Sequence, residues 1–110
     1  MGAPDSALGL RVNCGTQLRR EAEEAVIKHC AQALDNVLAV VRSAGGAPES
    51  VARLTIYVAD KAEYVAAARA LGAAWRERMG RHYPAMALLA IHGLVVAEAM
   101  VEIEATAVVA

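Results

Sequence analysis

A short segment of alternating side chains in the middle of the chain, residues 53–58, restricts the possible folds most strongly. Apolar Leu54, Ile56 and Val58 alternate there with more polar side chains, and the β-branched and aromatic residue types suit a β-strand. On either side of this segment, apolar residues recur every three to four positions, which is the spacing of amphipathic helices. The sequence therefore predicts a strand between two helices.

The ends of the two helices are marked by residues that favour helix boundaries. The first helix is predicted from about Leu18 to the glycine pair at residues 45–46, since glycine readily takes the conformation that terminates a helix. The second helix begins after Asp60, with Glu63 three residues later as a capping-box-like pair, and it ends near Gly80. We therefore expect two amphipathic helices, each closed by glycine.

Further strands are predicted before the first helix and after the second. Residues 8–14 alternate and end at a glycine, while residues 85–91 and 100–109 are strand candidates near the end of the chain. Residues 1–7 are expected to form a loose terminus. The order strand, helix, strand, helix, strand, strand predicts a single α/β (α+β) domain, residues 1–110, in which one mixed sheet carries both helices on one face.

The composition bears on what covers the second face of that sheet. Of the 110 residues, 57% are hydrophobic, which is more than a lone small domain usually needs. A sheet with helices on one side must expose or bury its other side, and burial against copies of the same chain uses this surplus. We therefore expect a homo-oligomer.

The charge pattern argues against nucleic-acid and membrane partners. The net charge is −1, and the basic residues are spread along the chain rather than gathered on one face as nucleic-acid binding requires. The longest uncharged apolar stretches, residues 83–91 and 93–97, are much shorter than a membrane span. The N-terminus shows no targeting signal, so a cytoplasmic location is expected.

The cysteines and histidines form neither a disulfide framework nor a metal motif. Cys14 and Cys30 are expected to be free thiols, which fits a reducing compartment. His29, His82 and His92 are far apart in sequence, and none has a partner at ligand spacing. A metal site is therefore not expected.

Several segments of the chain carry a resemblance to a known family. They are residues 32–37 and 44–47 of the first helix and its end, residues 51–60, the pair at residues 84–85, and residues 101–105 with the sequence VEIEA. In this order and at this spacing they resemble the RidA (YjgF) family of imine deaminases. The resemblance covers residues 29–106 well and residues 8–17 weakly.

The resemblance implies a chorismate-mutase-like fold that assembles as a trimeric barrel, with three pockets between neighbouring subunits. Enzymes of this family hydrolyse reactive enamines and imines to a keto acid and ammonia, and they need no cofactor. The implied partners are therefore further copies of the chain and a small-molecule ligand at the subunit interfaces.

The substrate-binding arginine of the family's Pro-Ala-Arg motif is replaced here by Met86. An arginine holds a carboxylate through two hydrogen bonds, whereas a thioether offers neither charge nor a usable donor. The family's catalytic glutamate is retained as Glu102, a group suited to positioning water and moving protons. The resemblance therefore implies a divergent member with weak or absent activity on the standard 2-imino acids.

The other pocket positions that the resemblance transfers to this chain have few polar side chains. Besides Met86, the implied substrate-binding residues are Leu88, Cys14, Gly15, Ala68 and Leu71. An apolar pocket with a single carboxyl group suits a neutral or hydrophobic ligand better than a small anion.

Two functions stay open at the level of the sequence. One is a divergent catalyst of imine, enamine or carbonyl chemistry that uses Glu102, and the other is a non-catalytic trimeric protein that binds a ligand or serves as a scaffold. Glu102 equally fits a solvated or salt-bridging glutamate, and Met86 a filler of the core or interface. Endoribonuclease activity, a third role attached to the family, is disfavoured by the weak charge and the lack of paired histidines.

Overall fold

The computed structural model describes residues 8–15, 23–96 and 99–109. The predicted loose terminus, residues 1–7, and the predicted helix start near Leu18 lie outside the described residues. The predicted α+β class with one mixed sheet is confirmed, and the elements alternate in the predicted order.

The sheet has four strands, and its order differs from the order of the strands in the chain. The strands are β1 (Leu8–Gly15), β2 (Val51–Val58), β3 (Ala85–Ala90) and β4 (Val101–Val109). They lie in the order β1-β4-β2-β3, with β4 antiparallel to both β1 and β2, and β3 parallel to β2. The last strand in sequence is therefore central, and β3 is an edge strand.

The first helix, α1 (Glu23–Ser43), ends in the way the glycine pair predicts. Gly45 has a φ of 92°, a conformation that glycine takes without strain. The Gly46 N–H donates to the Val41 carbonyl and the Gly45 N–H to the Arg42 carbonyl, each at 2.9 Å. These two hydrogen bonds form a Schellman motif, which satisfies carbonyls that the helix end would leave without donors. A short 3₁₀ turn, Pro48–Ser50, then leads into β2.

The predicted second helix consists of two segments, α2 (Lys61–Ala66) and α3 (Ala68–Met79). Asp60 caps α2 as predicted, since its Oδ1 accepts a hydrogen bond from the Glu63 N–H at 3.0 Å. The division falls at Ala67, where φ is −92° and ψ is 3°. The Ala67 N–H is shared between the Glu63 and Tyr64 carbonyls, so the helix tightens for one residue before it continues.

The core lies between the helices and one face of the sheet. On β4, Val101, Ile103, Ala105 and Ala107 are buried, and they alternate with half-buried or exposed residues. The buried stripe of α1 packs against this face, in agreement with helices on a single side of the sheet. The opposite face carries the polar residues of β2 and β4, and no helix of the described residues covers it.

The edge strand β3 is apolar and exposed. All six of its residues are exposed, and the exposed fractions of Met86, Leu88 and Leu89 are 48%, 39% and 47%. A bare edge strand without charges is unusual in a monomeric protein, because such edges pair readily with other chains. In a single copy of the chain, this strand therefore leaves an apolar surface without cover.

Candidate functional site

An open groove on the uncovered face of the sheet contains Glu102. On β4, Glu102 and Glu104 point away from the helices because they alternate with buried residues. Tyr57 of β2 lies directly beside Glu102 in the strand register, so the two side chains share this face. Together with Ile91 and Leu94, these three residues line a groove of about 350 Å³.

The groove holds two carboxyl groups and a phenol. The Tyr57 hydroxyl donates to Oε1 of Glu104 at 3.5 Å, a long hydrogen bond. The sequence predicted a pocket between subunits with a single carboxyl group, and that pocket stays a prediction. The groove within one chain has two carboxyl groups, because alternation also places Glu104 on the same face. The arrangement presents carboxylate acceptors to a ligand small enough to enter, while the phenol proton of Tyr57 is directed at Glu104.

The nearest positively charged side chain of β2 on this face, Arg53, does not contact Glu102. Arg53 precedes Tyr57 by four residues, which places it about 13 Å away along the strand. Its Nε donates to Oγ1 of Thr106 at 3.4 Å. Arg53 therefore does not take the place of the arginine that the family keeps at the position of Met86.

Met86 and Leu88 lie on the other side of the sheet from Glu102. In the parallel register of β2 and β3, Met86 pairs with buried Leu54 and Leu88 pairs with buried Ile56. Glu102 instead pairs with Tyr57 on the uncovered face. Because paired residues point to the same face of a sheet, one copy of the chain does not bring Met86 and Glu102 together.

The other predicted site residues are also divided between the two faces. Gly15 pairs through its backbone with Glu102, and Cys14 pairs with Ile103, which defines the register of β1 with β4. Ala68 is exposed at the first position of α3. Leu71 lines a small cavity on the helix side. Of the predicted residues, only Gly15 therefore lies beside Glu102.

Sequence reasoning missed Tyr57, Ile91 and Leu94 as residues of the groove. Tyr57 was recognised as part of an alternating strand, and this alternation already placed it on the face opposite the core. Its position beside Glu102 depends on the pairing of two strands that are more than forty residues apart in sequence. Only the pairing, not the pattern within either strand, carries that information.

The titratable groups on the helix side of the sheet are partly buried against the core or hydrogen-bonded to the backbone, as groups with a structural role are. Burial raises the pKa of the Cys30 thiol to about 12, so this cysteine stays protonated and is a poor nucleophile. Burial, together with the neighbouring Cys30, also raises the pKa of Tyr64. Nε2 of His82 donates to the Val51 carbonyl at 2.7 Å and ties the exit of α3 to the start of β2. Within the described part of the chain, no cluster of three or more histidine, cysteine or acidic residues could hold a metal ion.

The fold and the groove define a small α+β domain with helices on one face of a mixed sheet and a carboxyl-bearing groove on the other. The chain matches the family model described as Endoribonuclease L-PSP over residues 14–109. It therefore belongs to this family, which is also known as the YjgF or RidA family. The resemblance read from the sequence is confirmed.

Solved structures of the same family share this fold. The YjgF gene product of Escherichia coli is 30% identical, with a TM-score of 0.65 over 76% of this chain and 64% of that one, so this chain spans less than two thirds of its length. A Rid-family protein from Yersinia pestis is 27% identical, with a TM-score of 0.67 over 90% of this chain and 77% of that one.

A more distant structure supports the fold alone. A YjgF/YER057c/UK114 family member from Mycobacterium tuberculosis is 21% identical, with a TM-score of 0.72 over 94% of this chain and 80% of that one. Comparison with curated proteins gives no match. Among the described residues, no helix has the length and apolar character that crossing a membrane requires.

Proposed function

We propose that this protein acts on a small uncharged imine, enamine or carbonyl compound, with Glu102 as the group that moves the proton. The observation that carries the proposal is the position of Glu102 in an open groove beside Tyr57 and Glu104. Family membership supports a role directed at a small molecule. In a hydrolysis, a groove of this kind would admit both the substrate and the attacking water.

For an imine, the proposed step is hydrolysis to a carbonyl compound and ammonia. The oxygen of water bonds to the carbon of the C=N group, while the Glu102 carboxylate accepts a proton from that water. The same carboxyl group then returns the proton to nitrogen. This gives a carbinolamine, and Glu102 then carries its remaining hydroxyl proton to the nitrogen as the C=O bond forms and the C–N bond breaks. The amino group therefore leaves as ammonia, and the carboxylate is regenerated.

Met86 favours a substrate without a carboxylate. It is half exposed on β3, and no charge is present anywhere along this strand. A thioether makes apolar contacts but cannot offset the charge of an acid. We therefore propose that standard 2-imino acids are poor substrates and that the preferred ligand is neutral.

The proposed site is completed only between copies of the chain. Met86 and Leu88 lie on one face of the sheet and Glu102 on the other, so a pocket that contains all three needs two subunits. The exposed apolar strand β3 supports such an interface. We propose a cytoplasmic homotrimer with small-molecule pockets between subunits, and the free thiol of Cys30 fits that reducing compartment.

The proposal is tested by ammonia release from a panel of neutral ketimines and from 2-iminobutyrate and 2-iminopropionate. Glu102→Gln should lower the rate on the best neutral ketimine by about 100-fold or more, since positioned proton transfer contributes at least that much. Glu49→Gln is the matched control, because Glu49 is exposed on the 3₁₀ turn. Equal rates for the two variants would contradict a catalytic Glu102.

The same panel tests the role assigned to Met86. Met86→Arg should restore measurable turnover of 2-iminobutyrate, because a guanidinium can hold its carboxylate through two hydrogen bonds. Val65→Arg adds the same charge at an exposed position on α2 and should restore nothing. Turnover of 2-iminobutyrate by the unmodified protein at the rate of the neutral ketimines would overturn this account.

A non-catalytic trimeric scaffold is the second candidate. The observation that favours it is the complete lack of charged or hydrogen-bonding side chains on β3, which fits a strand used for contact between subunits. If this candidate is correct, the unmodified protein hydrolyses none of the panel, and Glu102→Gln leaves the oligomer and its ligand affinity unchanged.

A further inference from the structure

A small cavity lies on the helix side of the sheet, away from the groove at Glu102. It has a volume of about 40 Å³, is lined by residues of α1, α2, α3 and the sheet, and is open to solvent on one side. Buried Ile56 and Ile103 form its floor, and Cys30 and Trp75 belong to its walls. Ile103 and Glu102 are neighbours on β4 that point to opposite faces, so the cavity and the groove are separate sites.

Two small residues on facing helices keep this cavity open. Ala31 of α1 and Ala74 of α3 both line it, and both are partly exposed. One helical turn further along each helix, Nε of Arg78 contacts Oδ1 of Asp35 at 2.7 Å, and the Arg78 Nη2 donates to the other carboxylate oxygen at 3.3 Å. This two-point ion pair joins the two helices one turn beyond the alanines, next to the gap between them.

Aromatic stacking supports the α3 wall of the cavity. The ring of Trp75 stacks on Tyr83, with 5.8 Å between ring centroids and 15° between ring planes. Arg78 also donates from Nη1 to the Ala74 carbonyl at 3.0 Å, which ties the ion pair to the same turn of helix. The cavity is therefore bordered by contacts that involve both helices.

The walls determine what kind of group this cavity can accept. A space of about 40 Å³ is larger than the roughly 10–15 Å³ that one water needs, but a buried water also requires two to four polar partners. The walls are almost entirely apolar, and the Cys30 thiol carries no charge because burial raises its pKa. An apolar occupant is therefore favoured over water or an ion, because the walls offer few hydrogen-bond partners.

We propose that this cavity between α1 and α3 is a binding site for a compact uncharged aliphatic group of a few carbon atoms. The site is separate from the proposed catalytic groove, and it is complete within one copy of the chain. Its walls carry no charged side chain that could pair with a charged head group, so shape and apolar contact contribute most to what binds.

The probe for this site is the series methanol, ethanol, 1-propanol and 1-butanol, added to the full chain. Binding is followed by the fluorescence and the indole N–H resonance of Trp75, the only tryptophan. We expect saturable binding whose affinity rises about fourfold with each added methylene, until the cavity is full. A response that grows linearly without saturation would overturn the proposal.

Matched alanine variants separate the cavity from a general solvent effect. Ala74→Leu should fill the cavity and lower the affinity for 1-propanol at least tenfold, whereas Ala73→Leu places the same side chain on the exposed side of α3 and should leave it unchanged. Ala31→Leu and exposed Ala39→Leu repeat the comparison on α1 if Ala74→Leu does not fold. Equal affinity in both members of a folded pair contradicts the proposal.

Discussion

His29 lies on the buried face of α1 with an exposed fraction of 0%, and neither ring nitrogen has a hydrogen-bond partner among the described residues. Burial lowers the pKa of this histidine below its ordinary value of 6.5, because the charged form loses its hydration. The position belongs to the apolar stripe that includes Val26 and Ala33. A residue with a titratable side chain therefore occupies a place in the core that an apolar side chain could fill.

This burial predicts how stability depends on pH. The unfolded chain protonates His29 as the pH falls through about 6.5, while the folded chain resists protonation, so the free energy of unfolding falls in acid by up to about 1.4 kcal/mol per pH unit. His29→Leu should remove this part of the slope and raise the free energy of unfolding at pH 7 by about 1–3 kcal/mol. Urea unfolding between pH 5 and 8 measures both effects.

The control for this prediction is a histidine in a different environment. His92 follows β3 and is exposed, so His92→Leu should leave the free energy of unfolding at pH 7 nearly unchanged. If His29→Leu retains the slope of the unmodified chain, burial of His29 is not its source.

At the scale of helices and strands, features set by neighbouring residues could be predicted from the sequence, whereas the pairing of strands could not. The end of α1 at the glycine pair and the cap at Asp60 follow from backbone chemistry within a few residues, and both were predicted from the sequence. The strand order was not, because β4 is inserted between β1 and β2 through contacts between distant parts of the chain. The same limit applies to the site, since the division of Met86 and Glu102 between two faces depends on register.

The junction between α1 and the 3₁₀ turn gives a prediction at this scale. A Cβ at Gly46 would lie 2.9 Å from Oγ of Ser50, 2.9 Å from Cγ1 of Val41 and 3.1 Å from Cγ2 of Val109. Gly46→Ala should therefore lower the free energy of unfolding by about 1–3 kcal/mol, as overpacking does elsewhere. Gly93→Ala is the control, because a Cβ there meets nothing within 4 Å. Equal stability of the two variants in urea unfolding would show that the junction relaxes freely.

At the scale of the whole molecule, the distribution of apolar surface bears on how copies of the chain assemble. The core lies on one side of the sheet, while β3 at the sheet edge leaves three large apolar side chains half exposed. The uncovered face beside it carries Glu102 and Glu104, which a core could not hold without partners. Assembly through β3 would cover the apolar edge and leave the polar groove at the interface, so the proposed trimer and the proposed site depend on the same strand.

This dependence can be tested by placing a charge on β3. Leu89 pairs with Tyr57 and so lies on the uncovered face, where Leu89→Glu would put a carboxylate near two others and inside the proposed interface. We expect the unmodified chain to sediment at three times its chain mass and Leu89→Glu to sediment as a monomer with an unchanged far-ultraviolet circular dichroism spectrum. Val65→Glu adds the same charge on α2, where Val65 is 57% exposed, and should remain trimeric. If Leu89→Glu stays trimeric, the interface does not lie at β3, and the proposed site between two subunits is contradicted as well.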